Sequence, residues 1–220
     1  MKGQDAEGLG GVLAKCPALT HLNLSGNFNF RSAGTERIAG VLGQCRKLVH
    51  LNLSDNNIRA AGAESLAGVM GQCRRLVHLN LGCNRIRTTG SESLAGVLVQ
   101  CPALSHLNLG GNGIVEAGAE SLFGVLAQCT TLAHLDHIGT IGTERLPGVL
   151  GKFTALSHLD LCENWIEEYG TGSTHCCPAF PACQALVLLP KPGGFTFASA
   201  LCFLKCACVM RNGEKSLHPR

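Results

Sequence analysis

One short segment recurs along the chain at a nearly constant interval. LTHLNLSGN begins at Leu19, LVHLNLSDN at Leu48, LVHLNLGCN at Leu76 and LSHLNLGGN at Leu104, followed by a shortened LAHLD at Leu132 and by LSHLDLCEN at Leu156. The intervals are 29, 28, 28, 28 and 24 residues, so the unit is 28 residues long, with one early insertion and one late four-residue deletion. Between these segments a second block returns as GAESLAGVMGQC from Gly62, GSESLAGVLVQC from Gly90 and GAESLFGVLAQC from Gly118. A period of this length means stacked copies of one supersecondary unit.

Each half of the unit has its own periodicity. In LVHLNL, Leu48, Leu51 and Leu53 alternate with His50 and Asn52, the pattern of a short strand with one wet face. In the second block Leu66, Val69, Met70 and Cys73 are spaced i, i+3, i+4 and i+7, an amphipathic helix with Glu64 and Gln72 outside. One strand and one helix cannot bury both apolar faces alone, so strands stack on strands and helices on helices. The helix side is wider, and the stack curves.

Composition agrees. The 220 residues are 45% hydrophobic and 15% charged, too apolar for a chain disordered throughout. The 28 glycines follow no collagen period, no run of 18 apolar residues exists to span a bilayer, and the first residues lack the apolar core of a secretory signal. A formal charge of +3 does not argue for nucleic acid.

The pattern L-x-x-L-x-L-x-x-N resembles the leucine-rich repeats. Its 28-residue length and helical GAESLAGVLxQC half are similar to the ribonuclease-inhibitor-like subfamily, which includes the receptor ends of NACHT-type (NLR) immune proteins and the Ran GTPase activators. The resemblance covers about residues 5–170 and implies an α/β horseshoe solenoid, with parallel strands on the concave face and helices on the convex face. The domain reading is a repeat array over 1–170, a partial repeat at 5–16 and six strand units starting at 19, 48, 76, 104, 132 and 156. Residues 171–220 form an irregular, poorly ordered, cysteine-rich tail. Because the array opens in mid-repeat, the chain is expected to be a fragment of a longer protein. The implied function is protein binding through the concave face and adjacent loops. The alternative is a GTPase-activating regulator of the Ran type, although none of that family's functional residues can be matched here. No G-x-x-x-x-G-K-[ST] is present, which leaves out the nucleotide-binding part of an NLR receptor.

Repeated columns separate scaffold from site. Cys16, Cys45, Cys73, Cys101 and Cys129 each precede the first strand leucine by three residues, and Phe153 takes the place in unit six. A ligand or catalytic thiol does not tolerate phenylalanine, whereas a buried apolar position does. Regular free thiols suit a reducing compartment and a cytoplasmic location. Asn27, Asn56, Asn84, Asn112 and Asn164 close the strands, and the resemblance implies that they form a ladder inside the turns. Gly68, Gly96, Gly124 and Gly148 recur inside helices, which suggests close helix-to-helix approach.

The candidate partner-binding residues are two columns on the strand face. One is His21, His50, His78, His106, His134 and His158; the other is Asn23, Asn52, Asn80, Asn108, Asp136 and Asp160. With strands about 4.8 Å apart, the rings are expected edge to edge. Mutual repulsion of the charged forms would lower their titration. Two readings stand, a pH-sensitive binding strip or a consensus histidine copied by duplication. One His beside one Asn per unit offers no closed ligand set, so no metal, no cofactor and no enzymatic centre are expected. The partner is a protein of unknown identity, with no nucleic acid and no membrane, and the oligomeric state stays open. Lysine plus arginine outnumber acids 11 to 6 over residues 1–103, and acids outnumber bases 8 to 2 over 104–170, a charge gradient along the array.

Two stretches break the pattern. In unit five Asp136 runs directly into His137, and Pro147 enters the helical block, so a local defect is expected. In the tail, His175 with Cys176, Cys177, Cys183, Cys202, Cys206 and Cys208 matches no paired C-x₂-C zinc spacing.

Overall fold

The structure, a computed structural model, describes residues 3–28, 30–136, 152–160 and 186–187. Helix and strand alternate in the order α1 Gly3–Leu13, β1 His21–Asn23, α2 Arg31–Leu42, β2 His50–Asn52, α3 Arg59–Met70, β3 His78–Asn80, α4 Arg87–Leu98, β4 His106–Asn108, α5 Glu116–Leu126, β5 His134–Asp136, β6 His158–Asp160 and β7 Leu186–Val187. All seven strands form one sheet in sequence order. From β1 to β6 the pairing is parallel and in repeat register, with His21 opposite His50, His50 opposite His78, and so on. The short fifth unit does not break this register, because His134 still pairs with His158. This is the solenoid that the repeat predicts, strands inside and helices outside.

One element departs from the expected irregular tail. Leu186–Val187 adds antiparallel to β6, with His158 opposite Val187. The outer edge of β6 would otherwise present unpaired peptide groups, which an extended segment can satisfy. The rest of the tail, with its cysteines, and the stretch around Pro147 lie outside the described residues.

The core is a stack of leucines. Leu48, Leu53, Leu76, Leu81, Leu104, Leu109 and Leu132 are buried between sheet and helices, and Leu66, Leu94 and Leu122 meet them from α3, α4 and α5. The helix stripe is narrower than its spacing predicts. Leu66 and Met70 are buried, but Val69 is only half-buried, and Cys73 lies beyond the end of α3.

Beyond the three-residue strands, the turns carry the inter-unit bonding onward. Leu24, Leu53 and Leu81 donate their N–H to the carbonyls of Asn52, Asn80 and Asn108, each at 2.9 Å. The following asparagines then join unit to unit. The Asn84 amide nitrogen donates to Leu81 O at 2.9 Å and Gly82 O at 3.1 Å in its own turn, and to Leu53 O at 2.8 Å in the turn before. Its Oδ1 accepts from the backbone N–H of Asn56 at 2.9 Å and of Ile58 at 3.4 Å. Asn112 repeats this on Asn84 and Ile86, at 3.0 and 3.2 Å. The ladder that the resemblance implies for Asn56, Asn84 and Asn112 is present; Asn164 lies outside the described residues. Toward the first turn, which holds the inserted residue, the donor half continues, with Asn56 Nδ2 reaching Leu24 O at 2.9 Å, but the acceptor half does not. Asn56 Oδ1 is the one buried side-chain oxygen or nitrogen among the described residues that lacks a hydrogen-bond partner.

The cysteine column packs as expected and also makes a bond. The thiols of Cys73, Cys101 and Cys129 point at the carbonyls of Leu42, Met70 and Leu98, the last residues of the preceding helices, at 3.6, 3.5 and 3.9 Å. Burial pushes the Cys73 thiol up to about 11 and the Cys101 thiol up to about 12, with neighbouring cysteines adding to the shift. They are held as protonated donors, unlike metal-binding thiolates. In unit six the Phe153 ring meets Phe123 edge to face at 6.0 Å.

The glycines require a correction. Gly40, Gly68, Gly96 and Gly124, inside the helices, face open space: a Cβ there would meet nothing within 4 Å. Close approach falls instead in the first helical turn. A Cβ on Gly90 would lie 2.6 Å from Ile86 Cγ2, 3.0 Å from Ala60 Cα and 3.1 Å from Ala63 Cβ of the preceding helix. Gly62 and Gly118 are crowded in the same way. Within the helices, compression thus falls on the first-turn glycine, where the chain leaves the turn against the preceding helix.

Opposite effects of one substitution follow. Gly68→Ala and Gly96→Ala should each stabilise the protein by up to about 1 kcal/mol, the helix-propensity gain, whereas Gly90→Ala should destabilise by about 1–3 kcal/mol through overpacking. Urea unfolding of the three variants checks the signs; a destabilised Gly96→Ala would contradict the open-space assignment. Asn84→Ala removes the bonds that tie two turns together and should cost about 3 kcal/mol or more, since each stranded buried group costs about 1–3 kcal/mol.

Candidate partner-binding face

The register of the sheet fixes what its inner face presents. Each strand contributes His-Leu-Asn or His-Leu-Asp, so the columns read out as ribbons. The rings of His21, His50, His78, His106 and His134 stack face to face, with successive centroids 4.2, 4.1, 4.0 and 4.1 Å apart and interplanar angles between 8° and 29°. They do not meet edge to edge. Parallel in-register strands give every histidine the same direction from the sheet, and identical rings so placed cover one another's faces. The ribbon loosens at the shortened unit, where His134 and His158 are 5.5 Å apart and tilted by 31°.

Ring edges are therefore what the ribbon offers. His106 Nδ1 lies 2.6 Å from the hydroxyl of Ser105, and His21 Nδ1 lies 3.0 Å from that of Thr20. At the far end His158 Nε2 approaches Asp136 Oδ1 at 3.5 Å. Burial is the first cause of lowered basicity here, ahead of the mutual repulsion that the sequence brings to mind. It depresses His50 and His78, and takes His106 down to about 4, with the charges of the flanking histidines as lesser contributions.

The asparagine column is half committed. The Oδ1 atoms of Asn23, Asn52, Asn80 and Asn108 accept the N–H of Ser25, Ser54, Gly82 and Gly110 at 3.0, 3.0, 2.9 and 2.8 Å. This closes the strand end and leaves Nδ2 as the group able to meet a partner. Together the two ribbons and the intervening Leu22, Leu51, Leu79 and Leu107 line a shallow groove of about 500 Å³ that reaches Asp136. The sequence columns thus come together through β4, with Asp136 at the boundary. Asp160 stands in register opposite Asp136, but its side chain is outside the described set.

Two features of this face escape a reading of columns alone. The hydroxyls of Thr20 and Ser105 belong to a position that is Val49 and Val77 in the units between, so no repeated pattern marks them. Charge also divides across the unit. In the second and third units Arg46, Lys47, Arg74 and Arg75 are exposed where chains enter the strands, and Arg59, Arg85 and Arg87 where they leave, while Glu64 and Glu92 are exposed on the helices. The gradient along the length is accompanied by a second division, basic at the rims and acidic outside.

Stacked imidazoles hold their nitrogens side by side and do not aim them at one point. Among the described residues no group of three or more His, Cys, Asp or Glu side chains could hold a metal ion. None of the described helices is long and apolar enough to cross a membrane.

Residues 44–67, 72–95 and 100–123 match the leucine-rich-repeat family model. The tropomodulin C-terminal domain of Caenorhabditis elegans is similar in fold, at a TM-score of 0.59 and 12% identity, over 67% of this chain and 90% of that one. A structure described as actin-binding site 2 of leiomodin-1 aligns at a TM-score of 0.47 and 18% identity, over 56% of this chain and 73% of that one. A comparison with curated protein sequences finds no match.

The depressed histidines have a thermodynamic consequence. Unfolded histidines bind protons near pH 6.5, whereas His50, His78 and His106 of the folded ribbon bind them only at lower pH, down to about 4 for His106. The unfolded chain therefore takes up more protons in this window, and stability present above pH 6.5 is lost as pH falls toward 4. Melting temperatures between pH 7.5 and pH 5 should decline, and His106→Gln should flatten the decline. A pH-independent melting temperature would contradict the assignment.

Proposed function

We propose that the chain is a non-enzymatic protein-binding module that receives a macromolecular partner on its strand face and the adjacent loops. The observation that carries this reading is the groove itself. Hydrogen-bonding ring edges and amide donors repeat every unit there, along a surface whose other constituents are core leucines. Leucine-rich repeats commonly serve such interactions, and the scaffold hosts many partners, so the site must supply the specificity. The 28-residue spacing and the helix in every complete described unit support placement in the ribonuclease-inhibitor-like subfamily, in the manner of the repeat arrays of NLR-type receptors. Cysteines that are free among the described residues favour a reducing compartment, the cytoplasm.

Affinity capture with the full chain tests the face. Two variants are informative: His78→Ala/His106→Ala, which interrupts the ribbon, and Asn80→Asp/Asn108→Asp, which keeps the oxygen that closes each turn but removes the outward amide donor. Partners bound by the parent protein should be retained at least about tenfold less by each variant, corresponding to about 1.4 kcal/mol of binding free energy. Equal retention by folded variants would reject the concave face.

A further inference from the structure

Over the first three units the rims of the groove are basic apart from Asp55. Inter-unit hydrogen bonds set the arginines that leave the strands in a row: the N–H of Arg31, Arg59 and Arg87 donate to the carbonyls of Asn56, Asn84 and Asn112 at 3.1, 2.8 and 2.9 Å. Their side chains are exposed, as is that of Arg85. On the opposite rim, Arg46 and Lys47 precede β2, and Arg74 and Arg75 precede β3, all exposed. The acid on these turns is Asp55, half-buried and engaged within the fold. Glu36, Glu64 and Glu92 are on the helices, across the core from the groove.

Between the rims the groove is built from donors. The asparagine oxygens are turned into the strand ends, which leaves the amide nitrogens, and each imidazole carries at least one N–H. We infer that the groove of the first four units takes an extended acidic protein segment, held by the basic rims of the first three units and by the histidine ribbon, and bound more tightly as the ribbon takes up protons. This rests on the protein-binding reading above and names the partner's chemistry. The groups that face the ribbon fit a proton-linked grip. Within units one to four they are the asparagine amides, the Thr20 and Ser105 hydroxyls and the histidines themselves, with no carboxylate until Asp136 in unit five. Asp136, beside His158, and Asp160 end the donor surface, so the segment should lie over β1 to β4.

A nucleic acid is the competing polyanion, and the ring geometry disfavours it. Single-stranded recognition depends on bases stacking against free aromatic faces. Here those faces are covered by neighbouring rings 4.0–4.2 Å away. Carboxylates of an extended peptide need only edges and guanidinium groups.

Fluorescence anisotropy with the full chain and a labelled oligo-glutamate peptide tests the inference, with oligo-lysine and a single-stranded oligonucleotide as the other probes. Melting curves at pH 7.5 and pH 6.0 establish that each protein is folded at both. The acidic peptide should bind in preference to both other probes, and its binding should weaken with salt. It should tighten by about two- to threefold between pH 7.5 and pH 6.0, part of the tenfold available when binding raises the affinity of one ring for its proton by one pH unit, because the free rings take up that proton only below the ordinary histidine range. Arg75→Gln/Arg85→Gln, one exposed change on each rim, should weaken binding at both pH values, and His78→Gln/His106→Gln should flatten the pH response. No binding of oligo-glutamate at pH 6.0, no pH response in the parent protein, indifference to the rim variant or a preference for the oligonucleotide would each overturn it. A partner captured through the concave face by a chain that ignores oligo-glutamate would reject the acidic segment alone; capture unaffected by the concave variants would reject the underlying reading.

Discussion

A primary amide buried inside each turn is the interaction on which this architecture depends. The strands are two or three residues long and could not hold a sheet together unaided. Asn56, Asn84 and Asn112 all donate from within the turn, and Asn84 and Asn112 also accept there, where water cannot compete. Without them the turn would contain peptide groups with neither a strand nor solvent to satisfy them. With them, consecutive turns are locked at one offset, and every other column of the unit follows from that offset.

The face is one such consequence. Strict register makes the histidines a stack, brings the rim arginines into a row, and sends the thiols of Cys73, Cys101 and Cys129 to the terminal carbonyl of the preceding unit's helix. A slip of one residue would exchange His50 and Asn52 for Leu51 and Leu53 on the inner surface, which burial of those leucines prevents. The polar groove and the apolar core are thus two readouts of one alignment.

Much of this was legible in the residues. The interval between copies determined strand order, the L-x-x-L-x-L spacing identified the buried leucines, and Phe153 in the cysteine column marked that column as packing. What escaped was mostly orientation. Spacing places His78 beside His106 but does not say whether rings meet by face or by edge. Recurrence of Gly96 marks a repeated position without telling whether its missing side chain makes room for a neighbour or only for water, and the structure shows the latter. Gly90, equally recurrent, is the compressed one, because Ile86 and the first turn of α3 crowd it, a contact visible only when two units are superposed in space. Likewise Asn80 and Asn84 differ in sequence only by position, yet one closes a strand end toward solvent and the other is sealed in a turn.

The asparagine bonds also have a direction. Asn84 serves the carbonyl of Leu53 and the N–H groups of Asn56 and Ile58, all in the preceding unit, and Asn112 does the same for the turn that contains Asn84. Each turn is completed by its successor. Sheet bonds run the other way: the N–H groups of Val77 and His78 donate to Val49 O, and those of Ser105 and His106 to Val77 O. A unit that loses its predecessor is therefore left with open strand donors, and one that loses its successor with an open turn, so the two ends of the array are chemically unlike.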